Sequence, residues 1–348
     1  MGVIKFKTIA FLFPLFFMLP QWLGAVEGDE LQPGYVNPGY EEKPDWFKIS
    51  FLDVYEDIAD AADKNKRLML YFYQDGCPYC KKLLEDNFGQ RVIADKTRKY
   101  FDVVAINIWG GSEVIVDENE FTETEFAAAL KVQYTPTLLF FNEDNKVVYR
   151  ANGYYPPEKF HTVLDYVGQK MEAKLSYQDY LAKVDPQPAT GKLYTDVINI
   201  KDPRNLKQAL SPEKPLLVMF EQKQCAACDE LHNDMLNRSE GKQQLSRFNV
   251  ALLDMWSEEK IVSPDGKKVK IRDWVKQLDV KYAPSMVYFD AKGKEVFRTD
   301  AYLKSFHVQS VMDYVASGAY QRQPNFQVYI GERADALRAQ GIEVDLMK

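Results

Sequence analysis

The sequence predicts an α/β protein made of two tandem domains, each a mixed β-sheet flanked by helices. The chain has 348 residues, which is long for one domain and comfortable for two. Apolar runs typical of buried strands alternate with amphipathic stretches typical of helices. This whole pattern occurs twice, so we expect a duplicated domain rather than a short repeat.

Composition excludes several classes of protein. Apolar residues make up 46% of the chain and the formal net charge is −7, so neither wholesale disorder nor a basic nucleic-acid surface is expected. Four cysteines are too few for a disulfide-stapled scaffold of this size, and three scattered histidines are too few for a His-rich metal enzyme. We expect no nucleic-acid partner, no metal and no organic cofactor.

Residues 1–25 are predicted to be a signal peptide. Lys5 and Lys7 precede an apolar run over Ile9–Met18, and small residues lead to a cleavage site after Ala25. The run is too short to span a bilayer comfortably, although an uncleaved N-terminal anchor is the alternative. We therefore expect a soluble mature form in the periplasm or outside the cell, where thiols meet an oxidising environment.

The duplication is visible in matched segments. The pair Cys77/Cys80 recurs as Cys225/Cys228 at an offset of 148 (225 − 77). The same offset relates Leu68–Phe72 to Leu216–Phe220, Tyr134–Thr137 to Tyr282–Ser285, and Asp165–Val167 to Asp313–Val315. After the signal peptide we expect an irregular segment at 26–48, a first domain at 49–184, a linker at 185–195, a second domain at 196–318 and a C-terminal helical extension at 319–348.

Each copy has the same expected order of elements, read from strand-like apolar runs and helical spacing. In the first copy these are a helix over Phe51–Lys64, a strand over Leu68–Phe72, a helix opened by the cysteines, a strand over Val103–Ile108, a polar insertion, a helix over Glu125–Lys131, strands over Thr137–Phe141 and Lys146–Arg150, and a final helix with Phe160, Val163, Leu164 and Val167 on one face. In the second copy they are Pro203–Leu210, Leu216–Phe220, Val250–Met255, a hairpin turn at Pro264–Gly266, Arg272–Leu278, Met286–Phe289 and Glu295–Arg298.

A CxxC pair at a strand-to-helix turn has a specific chemistry. The first sulfur lies at the helix N-terminus, where unpaired N–H groups and the helix dipole favour the thiolate over the thiol. That thiolate attacks a partner disulfide, and the second cysteine resolves the mixed disulfide. Cys77 is thus the expected nucleophile and Cys80 the resolving residue, with Cys225 and Cys228 repeating these roles.

Two other uses of the cysteines have to be weighed. Paired CxxC motifs can bind zinc, but the usual gap is roughly 15–20 residues, whereas here it is 145 (225 − 80). A purely structural disulfide would close a very small loop and contribute little stability.

A proline accompanies each CxxC pair at matched spacing. Pro136 and Pro284 both follow the second cysteine by 56 residues (136 − 80; 284 − 228), and each precedes a predicted buried strand. A proline there is expected to occupy a special backbone position, such as a cis peptide bond.

On these residues the chain resembles the thioredoxin superfamily, and most closely the exported SoxW-like thioredoxins. The shared features are Gly76–Lys81 (Gly-Cys-Pro-Tyr-Cys-Lys), the insertion before the proline, and Gly153–Pro156 (Gly-Tyr-x-Pro). The resemblance implies a cis bond at Pro136 beside Cys77 and a substrate backbone that pairs with the preceding residue. It assigns substrate binding to Tyr79, Thr135, Pro136, Ala283 and Pro284, and implies protein disulfide or dithiol clients and an upstream electron donor.

The chain also departs from this family. Thioredoxin has a buried Asp six residues before its first cysteine, where this chain has Tyr71 and Met219. Proton transfer is therefore expected to differ. His232, four residues after Cys228, is predicted to pack rather than to tune that sulfur.

The positions of three aromatic side chains also predict their surroundings. Trp109 and Trp256 are expected in the core. Tyr79 is expected to be exposed and to shape the substrate groove.

The leading functional hypothesis is an exported thiol–disulfide oxidoreductase with two CxxC centres. The alternative is a redox-inert client-binding or chaperone module with static disulfides on a duplicated scaffold. A third hypothesis is an internal relay, in which one CxxC centre reduces the other.

Overall fold

The computed structural model describes residues 39–185 and 193–344. Both domains have the α/β fold that the sequence predicts. The first consists of α1 (Val54–Asp63), β1 (Arg67–Tyr73), α2 (Pro78–Lys82), α3 (Arg91–Tyr100), β2 (Phe101–Asn107), β3 (Glu113–Val116), β4 (Asn119–Thr122), α4 (Glu123–Ala129), β5 (Thr137–Phe141), β6 (Val147–Asn152), α5 (Pro157–Gly168) and α6 (Tyr177–Val184).

The second domain repeats this order. It consists of β7 (Leu216–Glu221), α7 (Ala226–Glu230), α8 (Ser239–Leu245), β8 (Asn249–Asp254), β9 (Lys260–Val262), β10 (Lys268–Lys270), α9 (Ile271–Gln277), β11 (Ser285–Phe289), β12 (Glu295–Thr299), α10 (Ser305–Ala316) and α11 (Phe326–Ala339). The helix expected over Pro203–Leu210 is only a 3₁₀ turn at Leu206–Ala209, because Asn205 caps the segment and Leu210 is already extended. That part of the prediction was wrong.

Each domain contains one four-stranded mixed sheet. Their strand orders are β2-β1-β5-β6 and β8-β7-β11-β12. In each sheet the two strands before the proline are parallel, and the two after it are antiparallel. The central strands β1 and β7 are buried along almost their whole length, as expected for strands covered by helices on both faces.

The polar insertion before each proline forms a separate hairpin. β3 pairs with β4 and β9 pairs with β10, both antiparallel. The predicted turn at Pro264–Gly266 lies between β9 and β10, and Gly266 has the positive φ (88°) that such a turn requires.

Each cysteine-bearing helix continues beyond its α-helical turn. α2 passes into a π-helical segment at Leu83–Phe88, and α7 passes into one at Leu231–Leu236. Both segments bury apolar side chains toward the sheet.

The two domains share one hydrophobic core. A contiguous cluster of buried side chains includes Met69 and Phe140 of the first sheet together with Met219 and Tyr288 of the second. Two further clusters lie on the opposite faces of the two sheets, one in each domain. The two domains are therefore packed together as one compact unit and are not connected by the linker alone.

Corresponding segments of the two copies meet at this interface. Tyr302 N donates to Tyr154 O (3.2 Å), and the two tyrosine rings are 6.1 Å apart. A Cβ on Gly153 would lie 2.7 Å from the Cβ of Ala301. Both residue pairs differ by 148 positions, so the contact has approximate two-fold character.

The last helix of each domain packs onto the other domain. On α6, Gln178 donates to Val280 O (2.6 Å), and Asp179 pairs with Arg272 (2.8 Å). On α11, Gln327 donates to Gln133 O (2.9 Å). Each terminal helix is therefore fixed beside the loop that precedes the partner domain's proline.

Some predictions fall outside the described residues. The signal peptide, the segment up to residue 38, most of the linker (186–192) and the last four residues (345–348) are among them. Within the part of the chain that is described, no helix has the length and apolar character needed to cross a membrane.

Candidate active site

Both CxxC pairs form disulfides at the start of a helix. Cys77 caps α2 and Cys225 caps α7, and their Cα atoms lie 5.2 and 5.1 Å from those of Cys80 and Cys228. The backbone N–H of the second cysteine donates to the first sulfur at 3.0 Å in both domains. An amide donor aimed at the first sulfur stabilises negative charge there once the disulfide is reduced.

The loop before each proline touches the first cysteine. The carbonyl oxygen of Thr135 lies 3.4 Å from the sulfur of Cys77, and that of Ala283 lies 3.6 Å from the sulfur of Cys225. The Thr135–Pro136 and Ala283–Pro284 peptide bonds are cis. The fold thus brings each cysteine pair and its proline loop together across 58 residues of sequence.

The two centres differ in one donor. The hydroxyl of Thr135 lies 3.3 Å from the sulfur of Cys77 and donates to it. The second domain has Ala283 at this position and lacks the hydroxyl. Since a hydroxyl donor stabilises a sulfur anion, the first centre has one more stabilising group than the second.

The two sulfurs also differ in access. Cys77 is 4% exposed, whereas Cys225 is half-buried. Cys77 nevertheless lines a cavity of about 360 Å³ that is open to solvent, together with Gly76, Thr135 and Trp109. Cys77 is therefore accessible through this cavity, and Cys225 is accessible at the surface.

Tyr79, in the first CxxC pair, is buried at 3% exposure, so the expectation of an exposed tyrosine was wrong. The second domain covers it: the Tyr79 hydroxyl accepts from Lys304 N (2.8 Å), and its ring contacts the ring of His307 (centroids 4.9 Å apart). Burial raises the pKa of Tyr79 and lowers the pKa of His307 to about 4, so both groups are neutral at pH 7. Tyr79 joins the first active-site loop to the second domain.

Neither residue at the position of thioredoxin's buried Asp accepts protons at neutral pH. Met219 has no titratable group, and burial raises the pKa of Tyr71, whose hydroxyl has no hydrogen-bond partner among the described residues. Both side chains are fully buried.

A different buried acid lies near the second centre. Glu221 ends β7, and its Oε1 is 2.6 Å from Nε2 of His232, with both side chains almost completely buried. Burial raises the pKa of Glu221, and within the described part of the chain its Oε2 has no hydrogen-bond partner. The ring of Tyr194 stacks on His232 with centroids 4.2 Å apart.

His232 is buried, as the sequence predicts, but its hydrogen-bonding partner Glu221 was not predicted. The available signal was Glu221 itself, a carboxylate that ends an otherwise apolar buried strand. Trp109 was expected in the core, yet it is 46% exposed and its indole N–H donates to Gln74 (2.6 Å). Trp256 is partly buried against the core.

The described residues contain no group of three or more His, Cys, Asp or Glu side chains arranged to hold a metal ion. Each cysteine pair lies in its own domain and forms its own disulfide.

Comparison with known proteins identifies the domain type. The family model for the thioredoxin-like domain matches twice, at residues 54–168 and 203–316. A comparison with curated protein sequences found no match.

Among solved structures the chain is similar to thioredoxin-fold proteins that match part of its length. A thioredoxin-fold protein from Helicobacter pylori is 24% identical over 38% of this chain and 90% of its own, with a TM-score of 0.32. A thioredoxin from Thermus thermophilus is 22% identical over 33% of this chain and 83% of its own, with a TM-score of 0.28. A disulphide isomerase from Xylella fastidiosa Temecula1 is 20% identical over 43% of this chain and 98% of its own, with a TM-score of 0.24.

The two family matches together span more than half of the chain and coincide with the two sheets described above. The chain therefore belongs to the thioredoxin-like family and carries two tandem copies of its domain.

Proposed function

We propose that this protein is an exported thiol–disulfide oxidoreductase that exchanges disulfides with partner proteins through two CxxC centres. The observation that carries the proposal is the environment of Cys77. Its sulfur caps a helix and lies against both the amide of Cys80 and the hydroxyl of Thr135. Donors converging on one sulfur favour the thiolate that disulfide exchange requires.

The reaction at the first centre begins with the reduced protein. The thiolate of Cys77 attacks one sulfur of a partner disulfide, the partner S–S bond breaks, and the released partner thiolate takes up a proton. The thiolate of Cys80 then attacks the sulfur of Cys77 and releases the second partner thiol. Two electrons pass to the partner, the Cys77–Cys80 disulfide remains, and an upstream dithiol donor restores the reduced form.

The residues around the sulfur have distinct roles in this proposal. The backbone of Thr135, next to Pro136, lies where an incoming peptide would pair beside Cys77. The hydroxyl of Thr135 stabilises the attacking sulfur. Ala283 and Pro284 provide the same backbone at the second centre, without the hydroxyl.

Insulin reduction with dithiothreitol as the electron donor tests the activity. We expect wild-type protein to accelerate precipitation of the insulin B chain, and Cys77→Ser to remove most of this activity. A Cys80→Ser variant should accumulate a mixed disulfide with a partner, because the resolving sulfur is gone. No acceleration by wild type together with no trapped partner would refute the proposal.

The static-disulfide alternative has one supporting observation, the low exposure of Cys77. Redox titration with glutathione separates the static-disulfide alternative from the proposed exchange activity. An exchange-active pair should equilibrate at a potential above about −300 mV, whereas a structural disulfide lies below that value. The internal relay is tested by comparing Cys77→Ser and Cys225→Ser, since a relay requires each change to alter the kinetics of the other centre.

A further inference from the structure

A buried acid lies at the contact between the two domains. Asp300 follows β12 and is 5% exposed, and its Oδ2 accepts a hydrogen bond from Nδ2 of Asn152 (3.4 Å). Asn152 ends β6 in the first domain and corresponds to Asp300 at the offset of 148. The approximate two-fold arrangement thus brings the same position of both copies together, with an amide on one side and a carboxyl group on the other.

The positive charges around Asp300 are engaged with other groups. Three cations lie near it, on β6, on β12 and in the loop before Pro284, and none of them forms an ion pair with it within the described part of the chain. They are Arg150, which donates to Oδ1 of Asn152 (2.6 Å), Arg298, which pairs with Glu295 (2.5 Å), and Lys281, which pairs with Asp279 (2.6 Å). Among the described residues, Oδ1 of Asp300 has no hydrogen-bond partner.

Two tyrosines complete the titratable surroundings of Asp300. They are Tyr134, in the loop before Pro136, and Tyr155, in the loop after β6. Burial raises the pKa of both hydroxyls well above the ordinary value, so both are neutral at pH 7. The carboxyl group therefore has one long amide contact, two neutral neighbours and no direct cation.

A carboxylate in this setting is unfavourable. An ionised carboxyl group loses its water on burial, and only a cation and several hydrogen bonds can replace that water. Burial accordingly raises the pKa of Asp300 above the ordinary 3.8. Since the pKa is higher in the folded protein than in the unfolded chain, the stability that neutral Asp300 provides is present below pH 3.8 and is lost as the pH rises through the raised value.

The contact lies next to the first proline loop. In the pairing of β5 with β6, Asn152 is opposite Thr137, the residue after Pro136. The N–H of the next residue, Gly153, donates to Pro136 O (2.7 Å), and Gly153 lines the cavity in front of Cys77. Asn152 is therefore one residue away from a hydrogen bond that holds this loop.

The other side of the contact lies next to the second proline loop. Ala301, adjacent to Asp300, lines a small cavity together with Pro284. The N–H of Tyr302, one residue further, donates to Tyr154 O in the first domain (3.2 Å). A rearrangement around Asp300 would therefore reach both proline loops and the hydrogen bond that joins the domains.

We propose that Asp300 and Asn152 form a pH-sensitive contact that positions both proline loops, and that this contact is tight while Asp300 is neutral and loosens when Asp300 ionises. On ionisation the carboxyl O–H bond breaks and the proton passes to water. Both residues act through the proline loops and not on a sulfur, so they are positioning residues. Their effect on disulfide exchange rests on the proposed function, whereas the loosening of the contact does not.

Moving the carboxyl group across the contact provides the test. Asp300→Asn replaces it by an amide of the same shape, and the double variant Asn152→Asp/Asp300→Asn transfers it to the first domain. Asp273→Asn is the matched control, because Asp273 is an exposed carboxylate of the second domain. The titrating groups outside these positions, Glu221 among them, are common to all four proteins, so their effects cancel when the proteins are compared.

Hydrogen exchange reports the contact without any redox chemistry. Protection of segments 150–156 and 298–304 is measured by mass spectrometry on the oxidised proteins between pH 4 and pH 9, and is corrected for intrinsic exchange. We expect wild-type protection to fall at least tenfold over this range, and that of Asp300→Asn to change less than twofold. The double variant should regain a fall of at least fivefold, and Asp273→Asn should follow wild type.

Insulin reduction with dithiothreitol measures the positioning role. We expect the ratio of kcat/KM for wild type to kcat/KM for Asp300→Asn to fall at least threefold between pH 6 and pH 9. The titration of the cysteine thiols is common to both proteins and does not change this ratio.

The possible failures are distinguishable. Constant protection in wild type, or a wild-type fall in Asp300→Asn, overturns the inference. If protection changes as expected but the kcat/KM ratio is constant, the positioning role is refuted. If neither protein reduces insulin, the proposed function fails, while the protection measurements still decide whether the contact is pH-sensitive.

Discussion

The close approach of Gly153 to Ala301 provides a quantitative test of how the two domains pack. Gly153 has φ +86° and lies where a Cβ would be 2.7 Å from the Cβ of Ala301. Gly153→Ala therefore has two costs. The left-handed backbone disfavours an L-residue by roughly 1–2 kcal/mol, and overpacking at the domain contact costs roughly 1–3 kcal/mol. We expect the free energy of unfolding to fall by about 2–5 kcal/mol in total.

A double-mutant cycle separates these two costs. Ala301→Gly removes the methyl group that Gly153→Ala would strike, at its own cost of about 1–2 kcal/mol from lost burial and added chain entropy. In the double variant only the backbone cost of Gly153→Ala remains. The two changes should thus be non-additive by about 1–3 kcal/mol, in the stabilising direction.

Urea unfolding followed by tryptophan fluorescence measures all four proteins. Gly318→Ala is the matched control, because Gly318 has φ +68° and a Cβ there meets nothing within 4 Å, so it reports the backbone cost alone. The reasoning fails if Gly153→Ala costs no more than Gly318→Ala and the cycle is additive, since the two copies would then not meet at this point.

Three further changes test the site and its surroundings. Thr135→Val removes the hydroxyl 3.3 Å from the sulfur of Cys77, so alkylation of the reduced thiol by iodoacetamide below pH 7 should slow roughly tenfold; an unchanged rate would contradict this role. Burial raises the pKa of Glu221 above the ordinary 4.5, so its contribution to stability is present below pH 4.5 and is lost as the pH rises through the raised value. Glu221→Gln should remove this pH-dependent loss of stability. The free energy of unfolding of the variant, measured by urea titration relative to wild type, should therefore rise between pH 4.5 and pH 8. A difference between the two proteins that does not change with pH would disprove the coupling. Arg67→Met leaves the carboxylate of Glu172, 2.8 Å away, without its buried partner, and should lower the free energy of unfolding by about 3–5 kcal/mol; a loss under about 1 kcal/mol would show that the pair is as weak as a surface ion pair.

The elements that local sequence patterns encode were predicted well. The strand expected at Leu68–Phe72 is Arg67–Tyr73, and the strand expected at Thr137–Phe141 has those bounds. Apolar runs of this length are typical of strands buried on both faces, and the turns that bound them follow from local chemistry. The duplication was also predicted from the sequence, since an offset of 148 relates the motifs of the two copies.

Surroundings built from distant parts of the chain were not predicted. Tyr79 was expected to be exposed from its position in the first CxxC pair, yet it is covered by Lys304, 225 residues away. Trp109 was expected in the core because it ends an apolar strand, but β2 ends at Asn107 and Trp109 lines the solvent-open cavity in front of Cys77. The local spacing of apolar residues predicts which side chains are buried, but it does not predict which distant segment covers them.

The link between the two centres follows from a single residue of the second domain. The backbone N–H of Lys304 donates to Tyr79, between Cys77 and Cys80, while its ammonium group is paired with Glu230 on α7. Glu230 lies two residues beyond Cys228. Each cysteine-bearing helix therefore contacts the same short segment, and residues next to Lys304 also line the cavity in front of Cys77. Since residues of the second domain line the cavity in front of Cys77 and cover Tyr79, the duplicated domains are packed as one unit whose two cysteine pairs have different surroundings.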